Sequence, residues 1–125
     1  MMKKTKDSHT ISEKKIPHEV KVSVKAGQEK KGEDITVIDI GEISSFADYF
    51  VIMHGNSHRQ NKAISENIRE QLKKENITPL SIEGLDNADW ILMDYGNFIL
   101  HIFSRRSREF YDIEQLWADG PRLTF

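Results

Sequence analysis

Asp94 and His101 put one carboxylate and one imidazole into the otherwise apolar stretch 90–103, WILMDYGNFILHIF, whose polar-bearing face reads as a docking face or as a second core with one satisfied polar pair. Two six-residue runs, 90–95 and 98–103, flank Gly96-Asn97, a pair that tolerates the positive φ of a two-residue hairpin turn. That register sets Tyr95 opposite Phe98, Met93 opposite Leu100 and Ile91 opposite Ile102, giving one wholly apolar face that requires a helix or core over it. Pleat alternation puts Trp90, Leu92, Asp94, Ile99, His101 and Phe103 on the other face. Asp94 and His101 then lie diagonally across the pair, within reach of each other. If they are paired, the carboxylate favours the charged imidazolium.

Catalysis needs more than one carboxylate. Nucleotidyl transfer calls for two or three converging on Mg²⁺, but Leu92 and Gly96 stand two positions either side of Asp94. Gly55-Asn56-Ser57 is the sharpest enzymatic signal, since it lies between a strand-like run and a helix whose N-terminus offers free N–H groups to a phosphate. It lacks the glycine patterns of the known phosphate loops. A nucleotide-binding or nucleotidyl-transfer enzyme using this loop is therefore the alternative reading. Five histidines give no metal-like spacing except His54 and His58. Those two straddle a strand end and a helix start, with no cysteine to complete a site. No cofactor and no metal are expected. Arg105, Arg106 and Arg108 form a basic cluster that reads as a solvated helix face offset by Glu109, Asp112 and Glu114.

Several elements must position these groups. Residues 1–17 are rich in Lys, Ser and Thr and end at Pro17, so a disordered extension is expected there, with the domain over 18–125. A short helix is expected to end near Gly32. Residues 35–40 read as a strand stopped by Gly41, and 48–54, DYFVIMH, as a central strand buried on both faces. Ser57 and Gln60 form a capping-box arrangement for a helix over 58–75 with an apolar stripe of Ile64, Ile68 and Leu72. Asn76 suits the left-handed position after it. Residues 80–83 are a short strand, with a parallel crossover expected across 48–83. Ser104 caps a short helix through Tyr111, Asp112 with Gln115 a further turn, and Leu116-Trp117 anchors that turn on the sheet.

At 125 residues, with 38% hydrophobic content and mean hydropathy −0.57, the chain supports one modest core. No membrane span is expected, and the charged start has no apolar region behind it to suggest a secretory signal. Zero cysteines fit a reducing, cytoplasmic setting. Residues 1–31 carry nine lysines against four acids, and residues 32–125 carry nine basic against sixteen acidic side chains. The folded part is thus acidic. A basic protein partner suits it better than direct, sequence-specific nucleic-acid binding.

A larger pattern emerges from Ala47-Asp-Tyr-Phe-Val-Ile52, Gly55-x-Ser57-x-Arg59-Gln60-x-x-Ala63-Ile64, Pro79, Glu83-Gly84, Trp90-x-Leu92-x-Asp94-Tyr95-Gly96, His101-x-Phe103, Arg108-Glu109-x-Tyr111 and Leu116-Trp117. In this order they resemble the Iojap family, the bacterial ribosomal silencing factors, from about Lys30 to Arg122. The resemblance implies an α/β fold, a mixed β-sheet flanked by helices, nucleotidyltransferase-like but lacking catalytic carboxylates. It implies no enzyme activity. Instead it implies binding to the large ribosomal subunit via ribosomal protein L-fourteen, which blocks subunit association and represses translation. The expected partner-binding residues are Trp90, Leu92, Asp94, His101 and Phe103, with Tyr111 at the rim. A homodimer hiding the hairpin face is a further possibility. Departures from the family pattern concern packing. Gly32 stands where the family tends to have alanine, with Gly27 just before it, and Met53-His54 and Ile99-Leu100 replace smaller or β-branched residues.

Overall fold

The structure is a computed structural model that describes residues 10–125. Its elements are α1 (His18–Glu29), β1 (Glu33–Asp39), β2 (Tyr49–Gly55), α2 (His58–Lys73), β3 (Ser81–Glu83), β4 (Trp90–Asp94), β5 (Phe98–Ser104), α3 (Arg105–Tyr111), α4 (Ile113–Leu116) and β6 (Arg122–Thr124), with a 3-10 turn at Glu13–Lys15. The strands form one mixed sheet in the order β3-β4-β5-β2-β1-β6. Among the six strands only β2 and β5 pair in parallel, and they sit at its centre, as strands buried on both faces do.

The hairpin adopts the register that the apolar pattern dictates, with Ile91 opposite Ile102 and Met93 opposite Leu100. The Tyr95 N–H donates to the Phe98 carbonyl at 3.0 Å, and the two rings stack with centroids 4.9 Å apart. Gly96 alone of the turn pair takes positive φ, +91°, so one residue absorbs the reversal. Beyond the hairpin, the crossover through α2 joins strands of the same direction, as expected, although β2 and β3 are not neighbours in the sheet. β3 runs in the direction of β2, but it pairs antiparallel with β4 at the edge. The strand parallel to and beside β2 is β5.

The face bearing Ile91, Met93, Tyr95, Phe98, Leu100 and Ile102 is covered by Val20, Val24 and Ala26 of α1 and Ile64, Ile68 and Leu72 of α2. Ser57 Oγ accepts from the Gln60 N–H at 3.0 Å, the cap that starts α2. Asn76 ends it at φ +63°, with the Ile77 N–H returning to the Leu72 carbonyl, a Schellman-type closure.

Two expectations at the chain ends are corrected. Residues 10–17 are not an extension: Ile11 and Ile16 are buried in the main core, and Thr10 bridges Arg122. Residues 1–9 lie outside the described residues. At the other end, β6 was not foreseen, yet it extends the sheet by pairing with β1. Asp112 sits before α4 at φ +43° without a side-chain cap bond, so it turns the chain but does not cap the helix.

Gly27, Gly32 and Met53 are linked by one exchange of volume. A Cβ at Gly27 would come within 2.6 Å of Met53 Sδ, and one at Gly32 within 3.1 Å of the same sulfur. The fully buried Met53 therefore occupies the space that side chains at 27 and 32 would need. The expected outcome is that Gly27→Ala destabilises the wild-type chain despite alanine's better helix propensity. Combined with Met53→Val it is milder than the two single costs together, by about 1 kcal/mol. Strict additivity in urea melts would refute the exchange.

Candidate functional site

The second face of the sheet is two different surfaces side by side. Over β1, β2 and β5 it is a core: Ile38, Ile40, Phe50, Ile52, Ile99 and Phe103 pack with Ala47 and with Ile113 of α4. Over β4 and β3 the cover runs out. Trp90, Leu92 and Asp94 are half-buried there, while Ser81 and Glu83 are exposed on the neighbouring edge strand. Ser81 pairs with Asp94 and Glu83 with Leu92, so on this face Glu83 stands across from Leu92 and Asp94 two residues along its own strand.

A row of rings joins the two surfaces. Trp90 lies 4.9 Å from Phe103 and 4.7 Å from Tyr111 of α3, between centroids. His101 meets Phe50 at 4.5 Å and 75°. Trp117 meets Phe50 edge-on at 5.3 Å, and Phe46 closes the row on Trp117 at 5.9 Å. Such offset and edge contacts add to the burial of each ring. The row surfaces at both ends, where Phe46 is 57% and Tyr111 47% exposed. Phe46, Phe50 and Trp117 belong to it but were not among the expected site residues. Leu116 does not share the anchoring role expected of Leu116-Trp117, being 77% exposed.

Asp94 and His101 do not pair. Asp94 Oδ1 accepts from the Gly96 N–H at 2.8 Å, which secures the hairpin turn. His101 Nδ1 accepts from the Trp90 indole N–H at 3.1 Å. Because the indole is only a donor, the imidazole proton sits on Nε2. Burial lowers the His101 pKa to about 4, opposite to the shift expected from a neighbouring carboxylate. His101 and Phe103, 4% and 0% exposed, have no surface for a partner and instead fix the indole from beneath. Trp90, Leu92, Asp94 and Tyr111 retain accessible surface.

Arg108 is not part of a solvated cluster. Its guanidinium makes a two-point contact with Glu114 at 2.9 and 3.0 Å, and it donates to the Glu33 carbonyl and lies 3.0 Å from His54 Nδ1. That contact holds the Glu114 carboxyl below its ordinary range. Desolvation, then the Arg108 charge, lowers His54. Arg105 reaches Glu33 at 3.3 Å, and Arg106 is exposed. α3 and α4 are thereby clamped together and onto β1 and β2, which sets Tyr111 against Trp90.

The Gly55–Ser57 loop is filled from within. Gln60 Oε1 accepts the Asn56 N–H at 2.6 Å, while its amide nitrogen donates to the carbonyls of Lys30 and Lys31. A Cβ at Gly55 would strike the Asn61 side-chain oxygen. The Asn56 N–H is thus engaged by the chain's own carboxamide and the Gln60 N–H by the Ser57 cap, two of the donors that a phosphate in this loop would use. His54 and His58 do not converge on a common ligand either: His58 turns to Asp89 at 3.2 Å. Among the described residues, no helix is long and apolar enough to cross a membrane.

These features define a small α/β domain with a mixed sheet, one face fully layered by helices and the other half open. A family model described as ribosomal silencing factor during starvation matches residues 13–125. The ribosomal silencing factor RsfS of Bacillus subtilis is 40% identical over 102 residues, spanning 82% of this chain and 86% of that protein. A mouse protein named mitochondrial assembly of ribosomal large subunit protein 1 is 32% identical over 94 residues, covering 73% of this chain and 41% of its own length. A crystal structure of a protein from Chromobacterium violaceum superposes with a TM-score of 0.78 at 30% identity, covering 80% of this chain and 83% of that one. The chain belongs to the ribosomal silencing factor family, the Iojap family that its motifs resemble.

The neutral burial of His101 has a pH signature. The unfolded imidazole takes up a proton near 6.5 and the folded one only near 4. The His101 contribution is therefore complete above pH 6.5 and lost as pH falls toward 4, by up to roughly 3 kcal/mol. His54, also lowered, adds to the slope. Chemical denaturation at several pH values should give a shallower dependence for His101→Gln than for wild type. Parallel profiles would contradict the buried neutral ring.

Proposed function

We propose that this chain binds the large ribosomal subunit through ribosomal protein L-fourteen, blocks association with the small subunit and so represses translation. It acts in the cytoplasm without catalysis, by occupying a surface that the small subunit must reach. Family membership supports this reading, and the large subunit stands in the name of the mouse relative. The observation that carries it is the open part of the second sheet face. There Trp90, held by the His101 bond and packed between Phe103 and Tyr111, presents a rigid anchor beside Leu92. A preorganised aromatic at the centre of a contact is the usual source of interface energy.

Glu83 and Asp94 border the apolar strip, which suits a basic protein surface. We read the sheet as nucleotidyltransferase-like with its catalytic positions lost. Leu92 and Gly96 stand where further carboxylates would be needed, and Asp94 is committed to a turn. The Gln60 plug in the crossover loop supports the same conclusion against the nucleotide-binding alternative.

Purified large subunits should carry the protein down in sedimentation, small subunits should not, and subunit joining followed by light scattering should fall as the protein is added. Co-sedimentation with small subunits alone, or unimpaired joining at saturation, would sink the proposal. Trp90→Ala should weaken large-subunit binding by roughly 2 kcal/mol. A folded Trp90→Ala variant with wild-type affinity removes the indole from the interface. Asp94→Asn keeps an acceptor for the Gly96 N–H while losing the charge. Its affinity should drop at low salt and converge on wild type as salt rises; equal affinity at all salt concentrations would exclude a charge role for Asp94.

A further inference from the structure

Charge in this domain is sorted by layer. The segments that form the helical layer and the turn before it, residues 13–31 and 58–75, contain eleven Lys/Arg and six Asp/Glu. The rest of the domain, residues 32–57 and 76–125, contains four Lys/Arg and thirteen Asp/Glu. An overall acidic protein therefore carries a basic sheath on the side of the sheet opposite the aromatic row.

Two grooves flank α2 on that sheath. One, of about 370 Å³, lies between α1 and α2 and is lined by Lys21, Lys25 and Lys74 over Val22 and Ala26. The other, of about 630 Å³, lies between α2 and the β3 edge and is lined by Arg59, Lys62 and Arg69. All six cationic side chains are exposed. Acids are present too, and lysines outnumber them in the first groove: Glu75 meets His18 at 2.8 Å, and Glu29 keeps its charge while accepting from Asn67 at 3.0 Å. Glu66 and Asp86 line the second groove.

We propose that the outer face of this helical layer is a second docking surface, for the phosphate backbone of RNA. The case is charge complementarity. Extended rows of Lys and Arg on either side of one helix suit a polyanion that tracks along them, and counterion release supplies the binding free energy. The contact is to backbone and not to bases, because none of the large exposed apolar residues, Phe46, Phe110 and Tyr111 among them, lies on α1 or α2, so there is no stacking platform. The same feature argues against an anionic membrane, since a helix lying in a bilayer surface buries an apolar face, and both helices spend theirs on the sheet. The surface is independent of the aromatic row, so one domain can bridge a basic protein and adjacent RNA.

The test is fluorescence anisotropy of the full chain with a labelled, unstructured RNA 20-mer. Wild type should bind at about 50 mM salt and weaken steeply as salt rises. The triple variants Lys21→Gln/Lys25→Gln/Lys74→Gln and Arg59→Gln/Lys62→Gln/Arg69→Gln should each lose at least tenfold in affinity. Each should also flatten the log–log salt slope by about 2, three contacts at roughly 0.7 each. Trp90→Ala should bind RNA as wild type does, so failure here is distinguishable from failure of the large-subunit reading. The two triples are independent, and a folding defect in one leaves the other decisive. No wild-type binding at low salt, unchanged affinity in a folded triple variant, or adsorption to phosphatidylserine vesicles without binding to RNA would each overturn the proposal.

Discussion

A sheet whose two central strands are apolar on both faces must be covered twice, and this chain has helix enough to cover it once. β2 and β5 are buried along almost their whole length, as parallel strands at the middle of a sheet must be. α1 and α2 seal one face with aliphatic side chains. The other receives only the short helices α3 and α4 and the loop around Ala47. Large aromatic rings make up the deficit, because each covers more area per residue than an aliphatic side chain. Where even they stop, over β4 and β3, the fold leaves an apolar strip in contact with water.

The clamp at Arg108 is what makes so thin a cover hold. A seven-residue helix has little intrinsic stability, and α3 exposes much of its surface. Arg108 compensates by joining Glu114 of α4, the Glu33 carbonyl of β1 and His54 of β2. His54 can accept from the guanidinium only while its ring is uncharged, and burial beside a fixed positive charge maintains that state. The position of Tyr111, and through it one wall around Trp90, follows from an ion pair made one turn earlier on the same helix. Core and candidate interface are therefore not separable here: His101 and Phe103 belong to the first and shape the second.

Local pattern sufficed wherever one side chain answers to its own neighbours. The hairpin register, the helix over His58–Lys73 with its Ser57 cap, and the burial of 49–55 on both faces were legible because pleat alternation, capping and apolar runs act within a few residues. What was not legible depended on distant partners. Asp94 and His101 looked like a pair by diagonal proximity, but a backbone N–H two residues away and an indole on the facing strand were better placed. Arg108 resembled its solvated neighbours Arg105 and Arg106 until α4 folded back over it. β6 is three residues long after a Gly-Pro turn, and only the free edge of β1 makes it a strand. Ile11 and Ile16 were two apolar residues in a lysine-rich tract, too sparse to show that they close the main core.

An apolar strip left by incomplete cover is a hazard before it is a function, since exposed sheet edges and apolar patches invite indiscriminate pairing. Several features restrain it. β3 is three residues long and follows Pro79, so it offers little ladder to a stray strand. Glu83 and Asp94 flank Leu92 on the same face, so an acidic or purely apolar surface approaching it meets two carboxylates. A basic surface does not. The indole of Trp90 is tied down by His101 and packed against rings on two sides, which lowers the entropy lost on docking. The blocking role proposed above asks for two of these properties, an anchor fixed before docking and a charge pattern that disfavours acidic surfaces. Those requirements fall on the few residues where the fold ran short of cover, which is why the candidate interface lies at that boundary and not in a cleft.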